Sequence, residues 1–332
     1  MLALSDCSSE LRLSRLTVLL PVVLGSLAFW SPKPAAAALS YVSFDGPGAT
    51  YTYGIGINDL SQVVGFYGIG SGSQGYIRAV NGTFESLAVP GATFTDAMGI
   101  NNAGQVVGFY DQSSGGFGFI YSGGFYTTLT TSDFPYTITS GINDTGQIVG
   151  RCNGGVCGGF RGTVITSGGF AAVSKPGAVY TQLYGVNDSG AAVGIYSDTS
   201  SNGLSNVHGF LMVAGQFQTI DVPGAVWTEP YGINDAGLIS GSFQDSLGVW
   251  HGYVQTGNSY EVIDIPGATK TIGNGINNQG QVVGWYQDQS GIHGFVAASS
   301  VPEPASVLML LSGELGLIGL VGGRTRWGSP SV

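Results

Sequence analysis

Charged side chains are scarce in this 332-residue chain. They make up 9 % of it, against about a quarter in ordinary globular domains. Basic residues are the rarer sign: between residues 39 and 300, sixteen acids face five bases, a net charge of −11. A body of that charge repels polyanions, which excludes nucleic acid as a partner. Cysteine and histidine number three each, so Cys152 and Cys157 have no nearby thiol or imidazole with which to complete a metal site. Catalytic signatures are missing as well. There is no His-Glu-x-x-His, no Gly-x-Ser-x-Gly and no phosphate loop with lysine. The glycine run over residues 68–75 lacks the strand–turn–helix setting that dinucleotide binding requires.

Glycine is what the chain has in excess. Its 57 copies are more than twice the usual share of about 7 %. Such a composition can mean disorder, but 43 % of the chain is apolar and the apolar residues alternate in short runs. The body therefore reads as all-β with many tight turns, glycine supplying positive φ at bends and close backbone approach in strands.

One phrase, Gly-Ile-Asn-Asp-x-Gly-Gln-Val-Val-Gly-x-Tyr with small variations, returns six times. Its asparagines are Asn58, Asn101, Asn143, Asn187, Asn234 and Asn277, at gaps of 43, 42, 44, 47 and 43 residues. A period near 43 marks supersecondary units that cannot bury their apolar faces alone. Within one unit, residues 228–234 read as a first strand, 235–237 as a turn, 238–243 as a second strand, 251–254 as a third and 260–265 as a fourth. Pro266 then leads to the next unit, since proline cannot donate a ladder bond. Four short antiparallel strands in about 43 residues match one blade of a β-propeller.

The third-strand phrase recurs at Gly75-Tyr76, Gly118-Phe119, Gly159-Phe160, Gly209-Phe210, Gly252-Tyr253 and Gly294-Phe295. The exit proline recurs at Pro47, Pro90, Pro135, Pro176, Pro223 and Pro266. The order is offset, because the body begins with a fourth strand over residues 41–45 and ends after a third. That offset predicts a closed six-bladed propeller whose last blade is completed by the N-terminal strand, leaving no open sheet edge. A β-solenoid or other stacked-sheet form is the alternative, but it would gain nothing from the offset and would need capping units.

The two ends read as addresses flanking a body at 39–300. Residues 1–38 form a secretory signal: Arg12 and Arg15, an apolar stretch over 16–30, and a small-residue cleavage site at Ala36-Ala37-Ala38. A permanent membrane anchor is the alternative, which Pro21 and the short apolar stretch disfavour. The other end resembles the PEP-CTERM sorting signal of Gram-negative bacteria: Val301-Pro302-Glu303-Pro304, an apolar span over 305–322, then Arg324 and Arg326. The resemblance implies a tail held in the inner membrane, handed by the secretion machinery to an exosortase, and a protein released to the cell surface or extracellular matrix. Association with extracellular polysaccharide and biofilm is part of that implication. Glu314 in mid-span departs from the pattern. It costs roughly 2.5–3.5 kcal/mol against roughly −3 to −5 kcal/mol from nine Leu, Ile or Val residues. As a helix the span is about 27 Å long and just crosses the hydrocarbon core, so a marginal, temporary anchor is expected.

The repeats of the body resemble the HAF family of extracellular repeats, on His208-Gly209-Phe210, His251-Gly252-Tyr253 and His293-Gly294-Phe295. Glycine stands where that family has alanine, and the first three units lack the histidine. The resemblance implies location and architecture and brings no catalytic residue.

Candidate chemistry is thin. Each histidine either pairs with the preceding loop acid (Asp198, Asp245, Asp288) as an acid/base or metal set, or makes a structural bond at the start of a strand; recurrence on three units favours the second. The Asn-Asp pairs at 58–59, 143–144, 187–188 and 234–235 offer oxygens to calcium, but turn formation accounts for them. Asn143-Asp144-Thr145 and Asn187-Asp188-Ser189 match the glycosylation sequon by coincidence with that turn phrase. Tyr67, Tyr110, Tyr196 and Tyr286 end second strands as packing rings or as sugar platforms. Outside the cytoplasm Cys152 and Cys157 are expected to form a disulfide. The expectation is an exported, non-enzymatic binding or matrix propeller without a cofactor. Its alternatives are a lectin-like sugar binder, for which the 197–207 loop is a candidate, and a polysaccharide-acting enzyme in which acids such as Glu85, Glu229 or Glu261 converge at one mouth.

Overall fold

The computed structural model describes residues 40–112, 115–199 and 206–298. Contacts divide the chain after Ala37, and every described residue lies on the later side. The segments read from sequence as a leader at 1–38 and as a sorting signal at 301–332, and most of the 197–207 loop, lie outside the described residues.

Six antiparallel sheets of four strands make up the described chain. In blades 1 to 5 the strands follow chain order from the axis outwards. Their inner strands are Thr52–Ile57, Phe94–Ile100, Tyr136–Ile142, Tyr180–Val186 and Trp227–Ile233. Blade 6 has its inner strand at Lys270–Ile276 and its third at Ile292–Ala298. Its outer strand is the first of the described chain, Ser40–Phe44, paired from Ser40 opposite Ala298 to Phe44 opposite Gly294. Each inner strand contacts the next, and that of blade 6 contacts that of blade 1. The ring is therefore a closed six-bladed propeller, joined by the chain's own first strand.

Two glycines of the repeat set this geometry. The one two residues before each repeat asparagine sits where adjacent inner strands meet. A Cβ there would lie 2.5–3.0 Å from a carbonyl oxygen of the neighbouring inner strand: Met98 for Gly56, Ser140 for Gly99, Tyr184 for Gly141, Tyr231 for Gly185, Asn274 for Gly232 and Ile55 for Gly275. The other closes the Val-Val-Gly phrase. Every inner strand carries a register shift near its middle, which drives a carbonyl into the second strand. At Gly108, Gly150, Gly194 and Gly284 an added Cβ would meet that oxygen at 2.0 Å. No other residue fits a bulge that close.

The core lies between blades. The third-strand aromatics Tyr76, Phe119, Phe210, Tyr253 and Phe295 are fully buried. Blade 3 differs from the sequence expectation. Gly159-Phe160 lies outside its third strand, Arg161–Thr166, and Thr163 takes the buried place opposite Gly150. The cause is local: Cys152 and Cys157 are joined in a disulfide, and a short 3₁₀ turn at Gly155–Cys157 delays the strand. Phe160 packs instead on Tyr180 and beneath the Arg151 guanidinium.

The face carrying the repeat asparagines is closed by two rings of hydrogen bonds. Each asparagine Nδ2 donates to the backbone carbonyl of the next, from Asn58 round to Asn277 and back, at 2.8–3.1 Å. Each following residue donates its backbone N–H to the side-chain Oδ1 of its counterpart in the next blade, at 2.7–2.9 Å. The asparagine Oδ1 also braces its own turn, as from the Gln62 and Gln105 amides. This double role explains why the residue recurs in all six units. It also occupies Asn143 and Asn187 in buried bonds, which takes the two sequons away from any modifying enzyme.

Candidate functional site

Opposite the asparagine rings the channel opens into a pocket of about 360 Å³, within the usual range of about 300–1,000 Å³ for small-molecule sites. Its walls are mainly inner-strand residues from all six blades, joined by Phe66, Trp250 and Trp285 from second and third strands. Three residues before each asparagine stand Ile55, Met98, Ser140, Tyr184, Tyr231 and Asn274, and all six line it. Below them Ile57, Ile100, Ile142, Val186, Ile233 and Ile276 form a collar. A separate cavity of about 70 Å³ lies on the asparagine side of that collar.

Aromatic side chains crowd one side of the mouth. The described body holds three tryptophans, Trp227, Trp250 and Trp285, and they come together here. Trp227 and Trp250 meet edge to face at 6.1 Å between ring centres. Trp285 meets Tyr53 edge to face at 4.9 Å, and Tyr184 lies 4.8 Å from Tyr231. Lys270 reaches between two indoles, its Nζ 5.1 Å from the Trp250 ring centre and 4.8 Å from that of Trp285. Such cation–π contacts each contribute about 0.5–2 kcal/mol. Its ammonium makes no ion pair with any described carboxylate.

Glu229 supplies the opposite charge. Trp227 Nε1 donates to its Oε1 at 2.9 Å and the Tyr231 hydroxyl donates to its Oε2. Burial pushes this carboxyl above the usual range, opposed by those two hydrogen bonds and by the Lys270 charge. Burial pulls the Lys270 ammonium down, and the Glu229 charge opposes it. The Tyr184 phenol is raised well above its ordinary value, burial being the main cause, so it remains a donor. Two polar atoms deeper in the pocket have no hydrogen-bond partner among the described residues. The Ser140 hydroxyl is buried with no hydrogen bond. Asn274 uses its Nδ2 on the Gly54 carbonyl at 2.7 Å, and its Oδ1 accepts nothing from a described residue.

The acids named from sequence do not converge. Glu229 alone faces the pocket. Glu85 sits on the outer strand of blade 1, Phe84–Leu87, where it accepts the Tyr121 hydroxyl at 2.9 Å. Glu261 sits on the outer strand of blade 5, Ser259–Ile263. The histidines lie on the rim, outside the pocket. Their nearest carboxylates come from the outer strand's exit, not from the preceding loop: Asp221 for His208 at 3.1 Å, Asp264 for His251 at 2.9 Å and Asp45 for His293 at 2.9 Å. Asp245 and Asp288 are second neighbours at 3.5 Å. Each histidine also stands beside an aromatic of the second strand, Tyr196, Phe243 or Tyr286. The sequence held a signal for this pairing, since the acid thirteen residues downstream accompanies the histidine in blades 4 and 5.

Tyr67, Tyr110, Tyr196 and Tyr286 pack on the third-strand aromatic of their own blade at 6.1–6.5 Å. Their hydroxyls reach Ser86, Thr128, Thr219 and Ser43 of the outer strand. These are packing rings. The Asn-Asp turns spend their oxygens on the two hydrogen-bonded rings, and among the described residues no group of three acids, histidines or cysteines is placed to hold a metal ion. Among the described residues no helix is long and apolar enough to cross a membrane.

No protein-family profile matches the chain, and no curated protein matches it. Solved structures share its fold. TolB from Acinetobacter baumannii aligns with a TM-score of 0.50 at 9 % identity, over 74 % of this chain and 65 % of that one. Trypanosoma rangeli sialidase aligns at 0.48 and 8 % identity, over 84 % and 61 %. Aleuria aurantia lectin in complex with Fucα1-6GlcNAc aligns at 0.42 and 12 % identity, over 78 % and 98 %. This chain spans just under two thirds of TolB. At such identities the likeness is one of architecture, and the ligand has to be read from the pocket's own residues.

Proposed function

We propose that this chain is an exported, non-enzymatic binding propeller that holds a neutral sugar of an extracellular polysaccharide in the aromatic mouth of its channel. The observation that carries the reading is a wall of indoles and phenols containing polar groups that no described residue hydrogen-bonds: the Lys270 ammonium, held over two indoles, the Ser140 hydroxyl and the Asn274 Oδ1. A sugar ring offers both halves of what such a wall lacks. Its C–H face stacks on Trp250 or Trp285, and its hydroxyls donate and accept around the ring. A polyanionic polymer is disfavoured by the net charge of −11 on the body. The leader and the PEP-CTERM-like tail support export, handling by an exosortase and residence at the cell surface or in the matrix. The reading requires no cofactor.

Glu229 favours a second reading, a polysaccharide-acting enzyme. A carboxyl kept above its usual range is what a general acid requires. Glycoside hydrolysis calls for a second carboxyl about 5–10 Å away, and Glu229 is the only carboxylate among the described residues lining this pocket. The proposal is therefore one of binding without turnover.

The test uses the 39–300 fragment. All six sheets and the core clusters between them come from within it, so it holds what it needs to fold. Calorimetric titration with the producing organism's own exopolysaccharide should show saturable binding, equal with and without calcium, and lost in Trp285→Ala. Absence of binding, or indifference to Trp285→Ala, overturns the proposal. Release of new reducing ends that stops in Glu229→Gln would establish the enzyme instead. A calcium requirement would move the ligand to the Asn-Asp face.

A further inference from the structure

We infer that the pocket reads the end of a neutral glycan chain and not a stretch along its length; the inference rests on the sugar-binding reading above. Three observations carry it. The first is the floor. Ile57, Ile100, Ile142, Val186, Ile233 and Ile276 border both the 360 Å³ pocket and the separate 70 Å³ cavity beyond it. Each is only 6–8 % exposed, so the six side chains close the channel between the two spaces. Beyond them lie the two hydrogen-bonded rings. Nothing threads through.

The second is the wall. Ile55, Met98, Ser140, Tyr184, Tyr231 and Asn274 represent every blade at one depth. A cleft that accepts the middle of a chain needs two open sides through which the chain leaves. This pocket is walled on all six sides and opens at one mouth. A chain lying across it touches the rim alone. The third is the depth at which unpartnered polar atoms lie. Ser140 Oγ, buried and without a partner, and Asn274 Oδ1 belong to the layer just above the collar, on blades 3 and 6 of the ring. A sugar unit comes up against that layer only by entering end on; Ser140 Oγ has almost no accessible surface as it stands, so a bond to it requires the hydroxyl to turn towards the entering unit. The floor it then meets is purely aliphatic and cannot solvate an ion, so the entering unit is uncharged at its tip.

Partial acid hydrolysis of the same exopolysaccharide tests this, because it multiplies chain ends at constant mass. For the 39–300 fragment, the amount bound per milligram of polymer at saturation should rise in proportion to the ends, counted by reducing-end assay. Ser140→Ala should weaken binding to the fragments about tenfold, the loss of one buried hydrogen bond, at an unchanged melting temperature. Ser140 is small enough that the substitution leaves the fold intact. Capacity per milligram that stays constant on fragmentation, with Trp285→Ala still abolishing binding, overturns end recognition and leaves sugar binding standing. Full affinity in folded Ser140→Ala also overturns it. No binding of either intact polymer or fragments removes both readings.

Discussion

Asn143→Asp tests how the ring is held shut, because the two side chains share a shape and differ by one donor. In the native ring Asn143 Nδ2 donates to the Asn187 carbonyl at 2.8 Å, and Oδ1 accepts from Thr145 Oγ1 and the Gln147 amide, both at 2.8 Å. The side chain is buried. A carboxylate there keeps both acceptor contacts and sets an oxygen against the Asn187 carbonyl. An orphaned buried acceptor costs about 1–3 kcal/mol, and the unpaired buried charge adds a comparable amount, so the loss near pH 8 is about 3–5 kcal/mol. In a body this size each kcal/mol moves the melting temperature by about 2–4 °C, which puts the fall at about 6–20 °C. The sign with pH follows from the chemistry. The folded state holds the new carboxyl's pKa above its unfolded value, so the variant regains stability as pH falls and the protonated acid again donates to Asn187. Asn143→Ala loses all three bonds and should show no such recovery. Melting curves of the 39–300 fragment by circular dichroism at pH 8 and pH 4.5 decide it. Wild-type stability of Asn143→Asp at pH 8, or parallel pH profiles for the two variants, would refute the ring's role.

Four further outcomes are expected. Asp96 is buried, accepts the Ser73 hydroxyl at 2.6 Å, and is pushed by burial up to about 6. A folded pKa above the unfolded value of 3.8 makes its ionisation a cost of order 2–3 kcal/mol, absent at low pH and complete above the folded pKa. Asp96→Asn should therefore melt higher than wild type at pH 8 and lose that advantage near pH 4. Phe44, on the closing strand, packs edge-on against Tyr76 of blade 1 at 6.4 Å with the Arg78 guanidinium over its ring. Phe44→Ala should cost about 3–5 kcal/mol and expose residues 40–44 to limited proteolysis before any other segment. Breaking the Cys152–Cys157 bridge with a double serine substitution should cost roughly 2 kcal/mol, as expected for so short a loop, read as a lower melting temperature that reductant no longer changes. Lys270→Gln should weaken exopolysaccharide binding about tenfold in calorimetry, through loss of a charged donor worth about 1.5 kcal/mol, without altering the melting curve by more than a few degrees.

How much of this was visible in the sequence depends on which way a side chain points. The residue six before each repeat asparagine is threonine in all six units: Thr52, Thr95, Thr137, Thr181, Thr228 and Thr271. All are buried, and in five of them Oγ1 accepts a backbone amide of the crossing segment ahead. Blade number, strand order, the closing strand and the turn phrase all belong to this class, because each blade must meet the next with the same surface. Blade 3 departs only where the disulfide alters the local chain path. That shift had no counterpart in the spacing of the repeat.

The pocket obeys the opposite logic, and the repeat hid it. Three residues before the asparagine, where the side chain faces the channel, the six units carry Ile, Met, Ser, Tyr, Tyr and Asn. Neighbouring blades touch that position differently from unit to unit, as in the Tyr184–Tyr231 pair and the Asn274 bond to Gly54, so blade packing does not hold it to a common residue. Collecting the repeats into one consensus removes such positions from view. Residue type alone likewise points to Glu85 and Glu261, which the strand order sends to the outside of their blades. A better signal lay in the residues the consensus discards. Trp227, Trp250 and Trp285 interrupt the pattern in adjoining units of a chain with few tryptophans, and Lys270 is one of five bases in the body. Mean features of a repeat array report how the blades fit together. Its asymmetries, mapped onto one layer of the inner strands, report what the ring was closed around.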